Sequence, residues 1–379
     1  MTTSPGTFNT TAPGRVNLLG EHVDYNDGIV MPAAIDRYVH LKCQPISGKV
    51  LLLNALDFSR SVTIPLDHLA EKVDIKGEPL PSFALYPAGV AWALSEEGCD
   101  VPGLEVDLTS NVPIGAGLSS SAAVEVAFAI SWQHISNSQI SKMRLAQLCQ
   151  KAENDYVGVH SGLMDQFASM FGEAGHVLTF DTRDLSWNSY SLPGNMSIIV
   201  ADSTVRRTLS GSAYNDRRHD CQQALAILQQ HLPGIKALRD VTIAEFQAHA
   251  HLLDHSPRLR AQHVVEEIAR VNQAVGYLGN NDAAAFGQLM LTCHASLRNL
   301  YEVSCPELDT LVGIASGHPG CLGARLTGAG FGGCTVNLVR NDAVQDFMST
   351  LSTQYKRLTG KDARVYHCQA VPGAAVIDR

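Results

Sequence analysis

The chain has 379 residues, 45% of them hydrophobic and 17% charged, which is enough apolar material for sizeable cores and too much for a disordered chain. With 28 Lys plus Arg against 37 Asp plus Glu, the formal net charge is -9, which disfavours broad attraction to nucleic acid or to an anionic bilayer. Nine scattered cysteines with no CxxC pair argue against a disulfide framework or a zinc site, and the 15 histidines form no HExxH.

The amino-terminal stretch MTTSPGTFNTTAPGR has no basic segment leading into an apolar run, and no later run approaches a membrane span. A soluble, cytoplasmic protein is expected. Pro13-Gly14-Arg15 then leads into a glycine turn and a dense polar group ending at Asn26. Glu21, His22 and Asp24 lie within four residues and offer several donors and acceptors to adjacent hydroxyls, as a sugar site demands. A solvated surface loop would have the same composition.

Leu104 to Leu108 alternates apolar and polar residues and reads as a strand, broken by Asn111 and Pro113. The next segment, Pro113-Ile114-Gly115-Ala116-Gly117-Leu118-Ser119-Ser120-Ser121, enters a small, apolar helical stretch, AAVEVAFAISWQHI. Two glycines permitting close backbone approach, followed by hydroxyls at a helix start, have the chemistry of an anion cradle. No Lys precedes the serines, so this is not a Walker loop, and Ser120 stands where GxGxxG needs its last glycine. A tight turn with a serine cap shares these features.

Lys142 to Tyr156 reads as a helix with Glu153 near its end, and Met164 to Phe171 as a short helix of its own. Asp165, in His160-Ser161-Gly162-Leu163-Met164-Asp165-Gln166-Phe167, sits near that helix start, where the dipole alone favours a carboxylate. Val177 to Phe180 reads as a strand, and Leu192-Pro193-Gly194 as a turn before a strand at Met196 to Ala201. The expected division is therefore 1–193 and 194–379, the halves packed directly together and the final segment returning to the first. The stretch 216–317 is mostly helical in periodicity, and Cys334 to Val339 is strand-like. Gly328-Ala329-Gly330-Phe331-Gly332-Gly333 satisfies GxGxxG, but a strand follows where a dinucleotide fingerprint needs a helix. That context favours a loop supporting the phosphate site over a nicotinamide oxidoreductase.

Taken together and in this order, GRVNLLGEHVDYNDG, VPIGAGLSSSAA, GLMDQF and LTGAGFGGC strongly resemble the galactokinases of the GHMP kinase superfamily, from about Ala12 to beyond Val339. The resemblance implies an α+β, two-domain fold, with an N-terminal domain like ribosomal protein S5 domain 2, a helix-rich ferredoxin-like C-terminal domain and the site between them. It implies ATP-dependent phosphorylation of the anomeric hydroxyl of D-galactose with Mg²⁺. Position by position it makes Asp165 the catalytic aspartate and Arg15 the arginine beside the transferred phosphoryl group. Glu21, His22, Asp24, Gly162 and Tyr214 become sugar-binding residues. Gly115, Ala116, Gly117, Leu118, Ser119, Ser120 and Ser121 become the nucleotide loop, and Ser121 and Glu153 the magnesium ligands. The chain departs from the usual family text at Val23, Ala116 and Ser161, and the loss of a hydroxyl at Val23 is expected to bear on sugar selectivity. A galactokinase-like sensor that binds sugar and ATP without transfer, or a kinase preferring N-acetylgalactosamine or arabinose, stands as the other reading. Monomer and weak dimer are equally compatible with the sequence.

Overall fold

The computed structural model describes residues 6–136, 138–206 and 210–377, so the first five residues of the amino-terminal stretch lie outside it. In the first half the chain runs β1 (Phe8–Asn17), β2 (Ile29–Val30), β3 (Pro32–Pro45), β4 (Val50–Ala55), β5 (Arg60–Pro65), α1 (Ser82–Glu96), β6 (Leu104–Ser110), α2 (Ser120–Ser136), α3 (Lys142–Lys151), α4 (Met164–Phe171), β7 (His176–Asp181) and β8 (Trp187–Ser191). The second half contains β9 (Met196–Asp202), α5 (Ser210–Leu228), α6 (Ile243–His249), α7 (His255–Gly279), α8 (Ala283–Ser296), α9 (Pro306–Ser316), β10 (Cys321–Thr327), β11 (Cys334–Arg340), α10 (Val344–Thr359), β12 (Arg364–Cys368) and β13 (Ala375–Ile377).

Among the described residues the strands form three sheets. One has the order β13-β1-β3-β6-β4-β5, one β2-β7-β8 and one β10-β11-β9-β12. The last is antiparallel throughout, with α10 joining β11 to β12, which is the split ferredoxin-like arrangement. Its first connection is enlarged by five helices, α5 to α9. The chain end returns to the first half, where β13 pairs antiparallel with β1. Among the described residues no helix is long and apolar enough to cross a membrane.

Small side chains decide how closely the layers meet. In α2, Ala122, Ala123, Ala127 and Ala129 are all fully buried, and the helix lies directly against β1 and β3. Its N-terminus opens toward the second half. On α4, Phe167 stacks on Phe180 of β7 with 3.9 Å between ring centroids and on Phe171 at 4.8 Å. Such pairs contribute about 0.5–1.5 kcal/mol each beyond area burial, and they fix a short helix that would be marginal alone. That anchoring brings Asp165, on the first turn of α4, to Arg15 near the end of β1.

One expected element is interrupted. The helix read over Lys142 to Tyr156 stops at Lys151, and the chain continues through a wide π-helical turn, Ala152–Val157, closed by Gly158 in the left-handed region. Glu153 lies on that turn. Turns of this kind frequently mark functional positions, and six residues are too few for hydrophobic periodicity to separate them from an α-helix.

Candidate active site

A cleft of about 400 Å³ lies between the α2 N-terminus, the polar loop that carries Glu21, His22 and Asp24, and the loop joining β10 to β11. At one end, Gly115, Gly117, Ser119, Ser120 and Ser121 border it. Ala116 and Leu118 are buried and turn their side chains away, so any part they take in ligand binding is through the backbone. The β10–β11 loop, which also lines the cleft, packs directly on this turn. A Cβ on Gly117 would stand 2.9 Å from the Thr327 carbonyl oxygen, and one on Gly328 would stand 2.5 Å from that of Gly117. Two backbones therefore touch where neither tolerates a side chain. A strand follows the second glycine cluster, which is a hairpin loop and lacks the helix a dinucleotide site requires.

Arg15 reaches across from β1 and grips Asp165 through two parallel hydrogen bonds, Nε to Oδ1 at 2.8 Å and Nη2 to Oδ2 at 2.9 Å. Its Nη1 donates to the Gly117 carbonyl at 2.6 Å, so one guanidinium ties the carboxylate to the glycine turn. The Ser119 hydroxyl donates to Asp165 Oδ2 at 2.5 Å. An ionised carboxylate accepts about four hydrogen bonds. Three are used here, and Oδ1 carries only one of them.

Beside this pair lies a buried acidic group. Gln166 Nε2 donates to both Glu125 Oε2 and Glu153 Oε2 at 2.9 Å, and Ser161 also donates to Glu153. Burial pushes the Glu153 pKa up, Ser161 opposes this, Asp165 adds to it, and Gln166 and Ser121 oppose it. A carboxylate so placed, facing the cleft with the Ser121 hydroxyl, is an oxygen donor set suited to a hard cation.

At the other end the donors come from side chains. Glu21 is buried against the guanidinium of Arg325 on β10 and accepts the Gly328 N–H at 3.2 Å. Burial still raises its pKa, against the pull of Arg325 and Arg15. The loop that carries it is held from α7: Glu267 accepts the Gly20 N–H at 2.7 Å, and His263 Nε2 meets the Glu21 carbonyl at 3.1 Å. Glu267 is itself held by Arg270 at 2.7 Å, and although burial works against ionisation, Arg270, His263 and Arg325 bring its pKa down to about 2.

His22 and Tyr214 both line the cleft, with ring centroids 5.5 Å apart. Asp24 is pushed up to about 7 by burial first and then by the neighbouring charges of Asp165 and Glu21. Gly162 does not border the cleft; a Cβ there would stand 2.1 Å from Asp24 Oδ2, so glycine lets the carboxylate lie against the backbone.

The structure thus gathers Arg15, Glu21, His22, Asp24, Ser121, Glu153, Asp165 and Tyr214 around one cleft, from segments up to 199 residues apart in sequence as Arg15 and Tyr214 are. Val23 departs from expectation: it is fully buried, packs against Gly28 and does not face the cleft, so its missing hydroxyl is not beside a bound ligand. Sequence reasoning missed Tyr86, which lines the cleft from α1, as well as Arg325 and Glu267. Arg325 sits in an otherwise apolar strand, and that buried charge was the available signal.

Residues 2–45 match the galactokinase galactose-binding signature, 86–173 the GHMP kinases N terminal domain and 274–357 the GHMP kinases C terminal domain. The chain is 44% identical over 362 residues to a galactokinase of Roseiflexus sp. (strain RS-1), covering 96% of this chain and 91% of that one. It is 40% identical to a galactokinase of Chloroflexus aggregans, covering 98% and 94%. Among solved structures, Lactococcus lactis galactokinase complexed with galactose matches with a TM-score of 0.93 at 33% identity, covering 98% and 95%. Methanococcus jannaschii mevalonate kinase, at 18% identity and a TM-score of 0.69 over 97% and 100%, shares the fold.

Proposed function

This chain belongs to the galactokinase family of GHMP kinases, and from that premise and the geometry of the cleft we infer that it transfers the γ-phosphoryl group of ATP to the anomeric O1 of D-galactose, giving galactose 1-phosphate and ADP. The observation that carries the reading is the Arg15–Asp165–Ser119 cluster, set between the glycine turn and the signature loop in one cleft. A hydroxyl lying between those two ends would face Asp165.

The chemical task is to align O1 with the γ-phosphorus while spreading negative charge is neutralised. The main-chain N–H groups of Gly115 to Ser121 and the α2 N-terminus hold the triphosphate. Arg15 stabilises both the carboxylate it grips and the transferring phosphoryl group. As the new P–O1 bond forms and the bond to the ADP oxygen breaks, the O1 proton passes to Asp165, whose Oδ1 keeps the open lone pair. In a loose transition state that transfer comes late, so orientation by Asp165 matters as much as basicity.

Ser121 and Glu153 are the residues that would hold Mg²⁺, both through oxygen as a hard cation requires. The ion supplies neutralisation of phosphate charge. Glu21, His22, Asp24 and Tyr214 read the sugar hydroxyls, because a buried polar group left unpaired penalises the wrong epimer. Phosphorus NMR of a reaction with Mg-ATP and galactose tests the reading: a phosphate coupled to the anomeric proton supports it, and a phosphate on any other carbon sinks it.

A further inference from the structure

Behind the sugar end of the cleft, an unbroken hydrogen-bonded chain runs away from His22. His22 Nδ1 lies 2.8 Å from the Tyr25 hydroxyl, which lies 2.7 Å from the Tyr301 hydroxyl, which lies 3.3 Å from Cys221 Sγ. Tyr301 comes from a second π-helical turn, Leu297–Tyr301, and Cys221 from α5. His22, Tyr301 and Cys221 are all buried. The other imidazole nitrogen, Nε2, is buried with no hydrogen bond of good geometry among the described residues, although the Ala329 backbone also acts on the ring, and His22 borders the cleft.

With each hydroxyl proton spent inside the chain, the chain points one of two ways. In one, the imidazole N–H donates to a phenol oxygen and the relay ends with a phenol donating to sulfur, which pairs weak acceptors with the best donors. In the other, the thiol donates to Tyr301, Tyr301 to Tyr25, and Tyr25 to an unprotonated imidazole nitrogen, the strongest neutral acceptor of the four groups. The second direction pairs a phenol O–H with the imidazole nitrogen, the strongest of the available pairings, and leaves the weak thiol donor at the far end of the chain. We propose that the Cys221–Tyr301–Tyr25 relay fixes His22 as the Nε2–H tautomer, so that His22 presents a single N–H donor to a hydroxyl oxygen of the sugar, with Tyr25 and Tyr301 acting as positioning residues. Burial, helped by His263 and the Arg325 guanidinium and opposed by the Ala329 backbone, holds the imidazole pKa well below its usual value and keeps the ring neutral, so that one nitrogen must remain an acceptor. The tautomer then decides specificity, since a donor-only contact accepts a hydroxyl and leaves an unpaired N–H against a deoxy sugar.

The inference rests on the proposed role of His22 in sugar binding, and the two are separable by experiment. Selective ¹⁵N-histidine labelling of the ligand-free protein, with the resonance assigned by loss in His22→Gln, reads the tautomer directly. Nε2–H is expected; an Nδ1–H tautomer overturns the proposal. Tyr25→Phe is expected to convert His22 to a tautomer mixture and raise galactose KM about tenfold, with kcat and ATP KM changed less than about twofold. Tyr301→Phe should do less, because Tyr25 keeps its own proton, and Cys221→Ser should be near wild type, because serine O–H also donates. Unchanged tautomer and unchanged galactose KM in Tyr25→Phe would also overturn it. Absence of galactose turnover in the wild type would sink the functional reading while leaving the tautomer measurement intact.

Discussion

At the phosphate end of the cleft the facing groups are the main chain of a glycine turn, three serines and the Asp165 carboxylate, whose side chain is 24% exposed. At the proposed sugar end Glu21 and His22 are 3% exposed and are backed by buried residues from α7 and β10 and by two tyrosines. The difference follows from what each ligand carries. A triphosphate presents uniform charge, which backbone N–H groups and a guanidinium neutralise whatever the neighbouring side chains are. A sugar differs from its epimers only in where hydroxyls point, so discrimination needs side chains held in fixed directions in a dry site. Rigidity is therefore concentrated behind the sugar loop, and reactivity in front of the glycine turn.

The sharpest test of this division is Asp165→Asn. It should cut kcat by about 10³ while sugar binding by calorimetry and unfolding by urea stay near wild type; a variant with normal turnover would remove Asp165 from the chemistry. Next comes Arg325→Met, which leaves Glu21 buried and unpaired and should cost about 3–5 kcal/mol of stability in urea unfolding. A loss under about 1 kcal/mol would mean that the sugar loop does not depend on that pair.

Glu267→Gln should raise galactose KM by about tenfold through slackening of the Gly20 backbone, with ATP KM unchanged. Equal effects on both substrates would break the separation of the two ends. The smallest effect concerns pH. The Asp24 pKa of about 7 in the folded chain exceeds the ordinary 3.8, so folding takes up a proton between these values. Its contribution to stability is full below about 3.8 and is lost as pH rises through about 7. Wild type should therefore lose stability relative to Asp24→Asn between about pH 5 and about pH 8, and parallel pH profiles would contradict the assignment.

How much of this was legible in the sequence depended on whether a feature was local. The strands at Leu104 and Cys334 and the helix at Met164 emerged because alternation, β-branching and helical periodicity are local signals. The anion cradle was readable because glycines and hydroxyls adjoin in sequence. Glu153 was readable as a residue but not as part of a π-helical turn, which hydrophobic spacing does not reveal. Least legible were Arg325, Glu267 and Tyr301, which act on the sugar loop from 200 or more residues away in sequence, as Glu267 does on Gly20 with a separation of 247 and Tyr301 on Tyr25 with one of 276. Such partners are set by the packing of α7 and β10 against the first half, and no local pattern encodes them.

The buried end of the cleft is proposed to select galactose for transfer at the open phosphate end. ADP release with Mg-ATP and, in turn, galactose, N-acetylgalactosamine, arabinose and glucose tests it most directly. Turnover dominated by galactose, with glucose poor, is the predicted result. Equal turnover of glucose and galactose, or saturable binding of ATP and galactose without ADP release, would contradict it.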